Sequence, residues 1–272
     1  MLKRTDCRFE RLRGRPRRGG KIRTEANIGR MCFCRGHRKR LAQEQFTIIW
    51  MRIAFFGGTF DPPHRGHLAI AQAATDRLRL DRVLFAPVGN QPLKHGSYVA
   101  SFEDRVAMVE LAIAGHACFA LSMIDAPRQD HRPNSTIDTI RLLKESLKPE
   151  DQLFCLIGAD SFLGLRRWSR SAELLVACDF IIAGRPGFDF QNAGNRLPRG
   201  IHISREPRHE PGLSIIGVAN DAGQSSTLYF LPDLHEEISA TDVRTSPVRY
   251  LMDKDALPES VAEYIRAHQL YQ

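Results

Sequence analysis

Two histidines, His64 and His67, follow a Gly-Gly turn that closes a short apolar run. Glycines allow backbone N–H groups to approach a phosphate closely, and the start of a following helix adds about half a positive charge. Because the histidines are three residues apart, the first turn of a helix projects them to the same side. We expect both imidazoles to donate hydrogen bonds to phosphate oxygens. The predicted phosphate-binding turn comprises Gly57, Gly58 and Thr59.

The same residues have a simpler interpretation, in which histidines at a helix start only cap the helix or face solvent. A lone His-x-x-His favours that interpretation. Here a strand, Gly-Gly, Pro-Pro and His-x-Gly-His follow one another in order, which favours the functional interpretation. The segment is neither a Walker loop nor a GxGxxG fingerprint, since it contains no Gly-Lys-Ser/Thr and lacks the glycine spacing.

A second candidate anion site lies near the other end of the chain. Ser239 and Thr241 precede a predicted helix that carries Arg244 one turn inside. Exposed backbone amides, two hydroxyls and a guanidinium together form a cradle for an anion. A serine or threonine at such a place is almost always only a helix cap. We therefore interpret this segment as a phosphate site only in combination with the histidine turn.

From Met51 onward, strand-like apolar runs alternate with helical patterns, which is typical of an α/β fold with a Rossmann-like, doubly wound, mostly parallel sheet. Ligands bind at the carboxyl ends of the strands in such a sheet. The predicted strands are Ile53–Phe56, Arg82–Ala86, Cys118–Ile124, Gln152–Ile157, Asp179–Ala183 and Leu228–Leu231. The predicted helices are His67–Leu78, Phe102–Ala114, Ile137–Leu147, Asp242–Met252 and a last helix opened by Pro258.

Residues 51–272 show no internal repeat and no second core, so we expect a single domain. Residues 184–226 are rich in Gly, Pro, Asn and Arg and show no clear period, which predicts a long loop region.

The charge of the 272-residue chain is unevenly distributed. Residues 1–50 hold 15 of the 39 Lys and Arg residues and 4 of the 31 Asp and Glu residues, a net charge of +11, so residues 51–272 carry −3. We therefore expect no nucleic-acid binding by residues 51–272. The first fifty residues are predicted to be a disordered basic extension. An RNA- or membrane-binding arm, an organelle transit peptide and a dispensable upstream extension all stay open, the last being favoured.

No segment has the roughly 20 apolar residues of a membrane helix, and the Arg-rich start lacks the layout of a signal peptide. Cys118, Cys155 and Cys178 lie in apolar runs without CxxC spacing, which is typical of small buried side chains in a reducing compartment. We expect a cytoplasmic protein without membrane contact. Whether it forms a homo-oligomer is left open.

The two candidate phosphate segments resemble the His-x-Gly-His and I-S-x-T-x-x-R signatures of the nucleotidylyltransferase superfamily. Within that superfamily, the stretch from Gly158 to Trp168 is similar to the G-A-D…W element of the bacterial nicotinate-nucleotide adenylyltransferases. Residues 134–139 are similar to their S-Y-T-x-D-T segment. The resemblance covers nearly all of residues 51–272, down to Leu270 and Tyr271, and none of residues 1–50.

This resemblance implies an enzyme that joins ATP and nicotinate mononucleotide to give deamido-NAD and pyrophosphate, a late step of NAD biosynthesis. It also implies Mg²⁺ that enters with ATP, without direct protein ligands. His64, His67 and Arg244 are then the expected catalytic residues, and they also bind ATP. The other expected ATP-binding residues are Gly57, Gly58, Thr59, Phe60, Ser239 and Thr241. Those expected to bind nicotinate mononucleotide are Lys94, Thr136, Asp160 and Trp168.

Trp168 fits this role on physical grounds, since a flat cationic pyridinium is attracted to an aromatic face by about 0.5–2 kcal/mol. The alternative, a tryptophan buried in the core, is disfavoured by neighbouring arginines. For Asp160, capping of the next helix is nearly as well supported as contact with a ribose or a magnesium-bound water. Two places depart from the family pattern: Ser135 replaces the usual tyrosine, and Asn90–Lys94 does not keep the commoner Pro-His-Lys order.

The sequence leaves three rival functions open. Another adenylyl- or cytidylyltransferase of the superfamily, such as one acting on phosphopantetheine, is disfavoured by the Gly158–Trp168 element. A class I aminoacyl-tRNA synthetase also carries His-x-Gly-His, but this chain is short for one and has no Lys-rich second signature. A nucleotide-dependent RNA-binding protein would use residues 1–50 as its functional part.

Overall fold

The computed structural model describes residues 50–90, 99–184, 193–232 and 238–272. The strands in these ranges are β1 (Arg52–Gly58), β2 (Arg82–Pro87), β3 (Phe119–Leu121), β4 (Gln152–Gly158), β5 (Asp179–Ala183), β6 (Ile201–Glu210), β7 (Leu213–Asn220) and β8 (Ser225–Leu231). The helices are α1 (Arg65–Leu78), α2 (Phe102–Ile113), α3 (Thr136–Ser146), α4 (Ala159–Leu163), α5 (Ser171–Ala177), α6 (Ala240–Thr245), α7 (Pro247–Leu251) and α8 (Glu259–Ala267).

The eight strands form one sheet in the order β3-β2-β1-β4-β5-β8-β7-β6. All neighbours from β3 to β8 pair in parallel, whereas β8-β7 and β7-β6 are antiparallel. The chain winds outward in opposite directions from β1 and β4, which lie side by side. Such a reversal leaves a crevice at the carboxyl ends of the two central strands. The predicted doubly wound, mostly parallel α/β fold is confirmed.

Both faces of the sheet are covered, as a parallel sheet requires. Successive residues of β1 point to opposite faces, so Ala54 and Phe56 pack with α1, α2 and α8 in one apolar cluster. Ile53 and Phe55 pack with α3, α4 and α5 in the other. This two-sided burial explains why β1 is an apolar run without polar alternation, and it fixes the position of the Gly-Gly turn at the end of the strand.

The prediction that residues 184–226 form a loop region is wrong for residues 201–226, and residues 185–192 lie outside the described residues. Residues 201–220 form the antiparallel hairpin of β6 and β7, and β8 begins at Ser225. Strand β6 is the edge of the sheet and is almost fully exposed, so its sequence has no apolar period. Its pairing with β7 is also irregular, with register shifts between Ile203 and Arg205 and between Arg205 and Arg208. An edge strand with few buried side chains gives little sequence signal.

The single helix predicted for Asp242–Met252 is also wrong, because the chain forms the two short helices α6 and α7 there. Pro247 has no N–H to continue the first helix and begins the second. Strand β3 is shorter than predicted, covering Phe119–Leu121. The other predicted strands and helices are found within a few residues of their expected bounds.

Cys155 and Cys178 are buried, as their apolar surroundings predict, and Cys118 is partly exposed. Burial raises the pKa of the Cys155 thiol well above its usual range, so the group stays protonated. None of the helices in the described ranges combines the length and hydropathy that a bilayer crossing requires. Apart from Trp50, the predicted basic extension lies outside the described residues.

Candidate active site

A cavity of about 390 Å³ opens at the carboxyl ends of β1, β4 and β5. Its volume falls within the range of about 300–1,000 Å³ that is usual for ligand sites. Every predicted site residue that the structure describes lines this cavity. These residues are Gly57, Gly58, Thr59, Phe60, His64, His67, Thr136, Asp160, Trp168, Ser239, Thr241 and Arg244. The predicted site residue Lys94 lies outside the described residues.

His64 and His67 stand together at the start of α1, with ring centroids 3.8 Å apart. His64 is the N-cap residue and has extended backbone, and His67 is the third residue of the helix. The backbone N–H of His64 donates to Nδ1 of His67 at 3.2 Å. Phe60 supports His67 from the side, with centroids 5.0 Å apart. The histidines therefore cap the helix and line the cavity at once, so the two interpretations are compatible.

The hydrogen bond from His64 settles which nitrogen of His67 can face a ligand. Nδ1 of His67 accepts a hydrogen bond, so in the neutral ring the proton lies on Nε2. Burial, and secondarily the charge of His64, hold the pKa of His67 well below its usual range. His67 is therefore a neutral imidazole near pH 7, and its Nε2–H is the group available to an acceptor in the cavity.

The second predicted segment reaches the same cavity through the short helix α6. Ser239 is its N-cap, and its Oγ accepts the backbone N–H of Asp242 at 3.2 Å. One turn inside, Nη2 of Arg244 donates to the Thr241 hydroxyl at 3.2 Å, and Nη1 donates to the backbone carbonyl of Asp61 at 2.7 Å. Since Asp61 belongs to the histidine turn, this hydrogen bond joins the two segments directly.

The carboxylate of Asp61 is part of the framework beneath the turn and was missed by sequence reasoning. It is 1% exposed and accepts hydrogen bonds from the backbone N–H groups of Val99 (3.0 Å) and Ala100 (3.2 Å). The hydroxyl of Tyr271 donates to it at 2.7 Å. A buried carboxylate is tolerated because its oxygens are satisfied in this way. Its only sequence signal is an acidic residue between Phe60 and two prolines.

A buried arginine holds the strand side of the same turn. Arg105 of α2 is 1% exposed, and its Nη1 donates to the carbonyl oxygens of Thr59 at 2.8 Å and Val88 at 2.9 Å. It thereby links the turn after β1 to the end of β2. Its sequence signal is a charged residue on the apolar face of a helix that also carries Met108 and Val109.

The opposite wall of the cavity carries the residues predicted to bind the second substrate. Trp168 follows a short 3-10 turn and is half-buried against an apolar cluster, with part of its ring on the cavity. Thr136 is the first residue of α3, and Asp160 is the second residue of α4. Asp160 therefore lies both in the first turn of a helix and on the cavity wall, which is compatible with both of its predicted roles.

A polar group at the base of this wall was not predicted. The Thr139 hydroxyl donates to the carboxyl of Asp125 at 2.5 Å, and both residues are buried. Burial raises the pKa of Asp125, and the hydrogen bond from Thr139 opposes this rise. Among the described residues, the Oγ of Ser135 is buried on the same wall without a hydrogen-bond partner. Ser135 stands where the family pattern has tyrosine.

No group of three His, Cys, Asp or Glu side chains within the described ranges could hold a metal ion. The cavity instead combines neutral imidazoles, a guanidinium and helix starts, which are donors for an anion.

The anion-binding turn lies at the reversal point of a doubly wound sheet and faces a cationic helix start. This arrangement is typical of a nucleotide-binding site. The model of the cytidylyltransferase-like family matches residues 55–246, which include both segments. The chain is also 39% identical over 223 residues to the probable nicotinate-nucleotide adenylyltransferase of Gloeobacter violaceus, covering 81% of this chain and 96% of that protein. It is 34% identical over 221 residues to that of Solibacter usitatus, covering 81% and 100%. The chain belongs to the nicotinate-nucleotide adenylyltransferase family, as its resemblance predicted.

A solved structure shares the fold. The Plasmodium falciparum nicotinic acid mononucleotide adenylyltransferase complexed with NaAD superposes with a TM-score of 0.59 at 17% sequence identity. The match covers 81% of this chain and 97% of that one. At this identity the likeness supports the architecture, whereas membership of the family rests on the sequence matches.

Proposed function

We propose that this enzyme transfers the adenylyl group of ATP to nicotinate mononucleotide, forming deamido-NAD and releasing pyrophosphate. The observation that carries the proposal is the hydrogen bond from Arg244 to the carbonyl of Asp61. It brings a guanidinium to the edge of the histidine turn, although the two residues are far apart in the chain. Two anion-binding segments in one cavity match a substrate that carries several phosphates in a row.

In the proposed reaction, an oxygen of the 5′-phosphate of nicotinate mononucleotide attacks the α-phosphorus of ATP. A new P–O bond forms in line with the bond between the α-phosphorus and the oxygen that bridges the α- and β-phosphates. That bond breaks, and the bridging oxygen leaves with pyrophosphate. The attacking group is already an anion, so no general base or covalent enzyme intermediate is needed. Catalysis then consists of positioning the reactants and neutralising the charge that grows on the phosphoryl oxygens.

The described residues divide this work between the two segments. The Nε2–H of His67 is assigned to the α-phosphate, with His64 beside it, because a neutral imidazole donates without a large desolvation cost. The backbone of Gly57–Thr59 and the Phe60 turn surround the nucleotide. Ser239, Thr241 and Arg244 are assigned to the β- and γ-phosphates, where the positive guanidinium favours the leaving pyrophosphate.

The opposite wall is assigned to nicotinate mononucleotide. Trp168 offers an aromatic face to the cationic pyridine ring, and the start of α3 at Thr136 offers backbone donors to the nicotinate carboxylate. Asp160 is assigned to the ribose. Lys94 remains a predicted ligand of the same substrate.

Mg²⁺ enters as part of the ATP substrate and offsets phosphate charge, since it is typically held by phosphates and water. A cytoplasmic location also remains a prediction.

A three-substrate assay tests the proposal. The purified chain is incubated with ATP, Mg²⁺ and one of nicotinate mononucleotide, nicotinamide mononucleotide or phosphopantetheine, and pyrophosphate release and product mass are followed. We expect the highest kcat/KM with nicotinate mononucleotide and deamido-NAD as product. Faster turnover of phosphopantetheine, or turnover of none of the three, would exclude the proposed function.

A further inference from the structure

Tyr271 lies beyond the last helix, outside the set of residues that the proposed function uses. It is 8% exposed, and its backbone φ of 63° lies in the left-handed region that a non-glycine residue seldom adopts. Its hydroxyl donates to Oδ1 of Asp61 at 2.7 Å. A strained backbone conformation persists only where the surroundings determine it strongly. The buried position and the hydrogen bond supply that constraint here.

Asp61 connects Tyr271 to the candidate active site, because its side chain binds the tyrosine and its backbone binds an arginine of the site. Its carboxylate accepts from Tyr271, and its backbone carbonyl accepts from Nη1 of Arg244 at 2.7 Å. A rotation of the carboxylate would also disturb its hydrogen bonds to the N–H groups of Val99 and Ala100. Among the described residues, three groups donate to this carboxylate, and the Tyr271 hydroxyl is the only side chain among them. The orientation of Asp61, and with it the anchor of Arg244, therefore depends on Tyr271.

The tyrosine is suited to a permanent role of this kind. Burial, and then the adjacent Asp61 carboxylate, raise the pKa of Tyr271 far above its usual range, so its hydroxyl keeps its proton. Its hydroxyl therefore remains a hydrogen-bond donor to Asp61 near neutral pH.

We propose that Tyr271 is a positioning residue for the transfer reaction, which acts by fixing Asp61 and thereby the guanidinium of Arg244 against the leaving pyrophosphate. The inference rests on the proposed function for the role of Arg244 on the ATP phosphates. It adds a residue that lines no part of the cavity.

The test compares Tyr271→Phe with a matched control, Tyr264→Phe. Tyr264 also donates its hydroxyl to a carboxylate, that of Asp104 at 2.9 Å, but neither residue lines the cavity. Both variants lose one hydroxyl and one hydrogen bond to an aspartate. We expect kcat to fall about tenfold in Tyr271→Phe, with KM for nicotinate mononucleotide within about twofold of the parent, and no comparable fall in Tyr264→Phe. Equal kcat values in the two variants would overturn the proposal.

A double-mutant cycle with Arg244→Lys separates positioning from a purely structural role. If Tyr271 acts through the guanidinium, Tyr271→Phe lowers kcat by no more than about twofold in the Arg244→Lys background. If it only stabilises the fold, the loss is the same in both backgrounds, and the inference is wrong. Should Tyr271→Phe not fold, Asp61→Asn replaces it in the same cycle, and independence from Arg244→Lys again overturns the inference.

ATP dissociation constants are measured for the four proteins of the cycle by calorimetry. This measurement needs no acceptor substrate, so it tests the role of Tyr271 separately from the proposed function. Failure to make deamido-NAD in the parent chain would remove the proposed function. We expect Tyr271→Phe and Arg244→Lys to change the ATP dissociation constant non-additively. Additive effects on both kcat and ATP binding would remove the role of Tyr271, whichever acceptor the enzyme uses.

Discussion

In the proposed reaction, His67 is the residue that donates to the α-phosphate. Its neutral state follows from burial and from the neighbouring His64, and its tautomer follows from the hydrogen bond that Nδ1 accepts. A neutral donor can strengthen its hydrogen bond as negative charge grows on a phosphoryl oxygen, which is the property that transition-state stabilisation requires.

Removing this donor should affect turnover more than binding. We expect His67→Ala to lower kcat by about 10²–10³, since loss of a donor aimed at the transition state typically costs roughly 3–4 kcal/mol. The dissociation constant for ATP should change much less. His116→Ala is the control, because His116 stacks on Phe119 outside the cavity. Near-normal kcat in His67→Ala would show that His67 has another role.

The lowered pKa of His67 also predicts how stability depends on pH. Its unfolded pKa is about 6.5, so below that pH the unfolded chain binds a proton that the folded protein excludes. The contribution of His67 to the free energy of unfolding is therefore complete above about pH 6.5 and is lost as the pH falls toward its folded pKa. Thermal unfolding at a series of pH values should show a steeper loss of Tm on acidification in the parent than in His67→Asn. Parallel curves would indicate that His67 titrates normally.

Trp168 should determine affinity for the acceptor rather than for ATP. We expect Trp168→Leu to raise KM for nicotinate mononucleotide about tenfold, which corresponds to about 1.4 kcal/mol and lies within the range of cation–π attraction. Trp168→Phe should have a smaller effect. The control is Trp50→Leu, since Trp50 is exposed and lies outside the cavity. A rise in KM for ATP instead would place the adenine ring, and not the pyridine ring, on Trp168.

For single residues, the sequence predicts which side chains can do chemistry, but it does not predict the hydrogen bonds between distant residues that hold them in place. The spacing of His64 and His67 is enough to place both on one helix turn. Nothing in the sequence, by contrast, pairs Asp61 with Tyr271 or Arg105 with Thr59. These contacts depend on how the chain packs in three dimensions, and their buried polar partners lie many residues apart.

Among the elements, helix α6 is only six residues long, yet it must position Arg244. A helix this short is not stable by itself, so its cap is a large part of what holds it. Ser239 accepts the N–H of Asp242, and Asp242 accepts in return from the backbone N–H of Ser239.

Loss of this cap should therefore affect both stability and ATP binding. We expect Ser239→Ala to lower the free energy of unfolding by about 1 kcal/mol and to raise KM for ATP at least about threefold. Ser101→Ala is a close control, since Ser101 caps α2 and accepts from Asp104 in the same way, outside the cavity. It should show a similar loss of stability without the change in KM. The same KM in both variants would show that Ser239 only caps its helix.

The elements that the sequence predicts correctly are those buried on both sides. Strands β1, β4 and β5 are continuous apolar runs, because helices cover both faces of the sheet there. The hairpin of β6 and β7 was not predicted, since β6 lies at the exposed edge of the sheet. Its polar sequence is compatible with either a loop or an edge strand, and only the pairing with β7 decides between them.

On the scale of the whole molecule, the basic charge and the proposed chemistry belong to different parts of the chain. Residues 1–50 carry +11, whereas the described residues that line the candidate active site all belong to 51–272. We infer that the extension takes no part in the transfer reaction.

Deleting residues 1–50 tests this separation. Met51 would keep its hydrogen bonds, since its nitrogen donates to Asp151 at 2.8 Å and its carbonyl accepts from Gln152. We expect kcat and both KM values to stay within about twofold of those of the full chain. RNA binding is measured in parallel at several salt concentrations. Tight, salt-sensitive RNA binding that disappears with the deletion would assign a function to the extension.

In the proposed function, two distant segments, residues 57–67 and 239–244, bind the phosphates of one ATP molecule. A crystal structure of the full chain with a non-hydrolysable ATP analogue measures this directly. We predict Nε2 of His67 within hydrogen-bond distance of an α-phosphate oxygen and the Arg244 guanidinium within the same distance of the β- or γ-phosphate. A triphosphate that contacts only one of the two segments would contradict the claim.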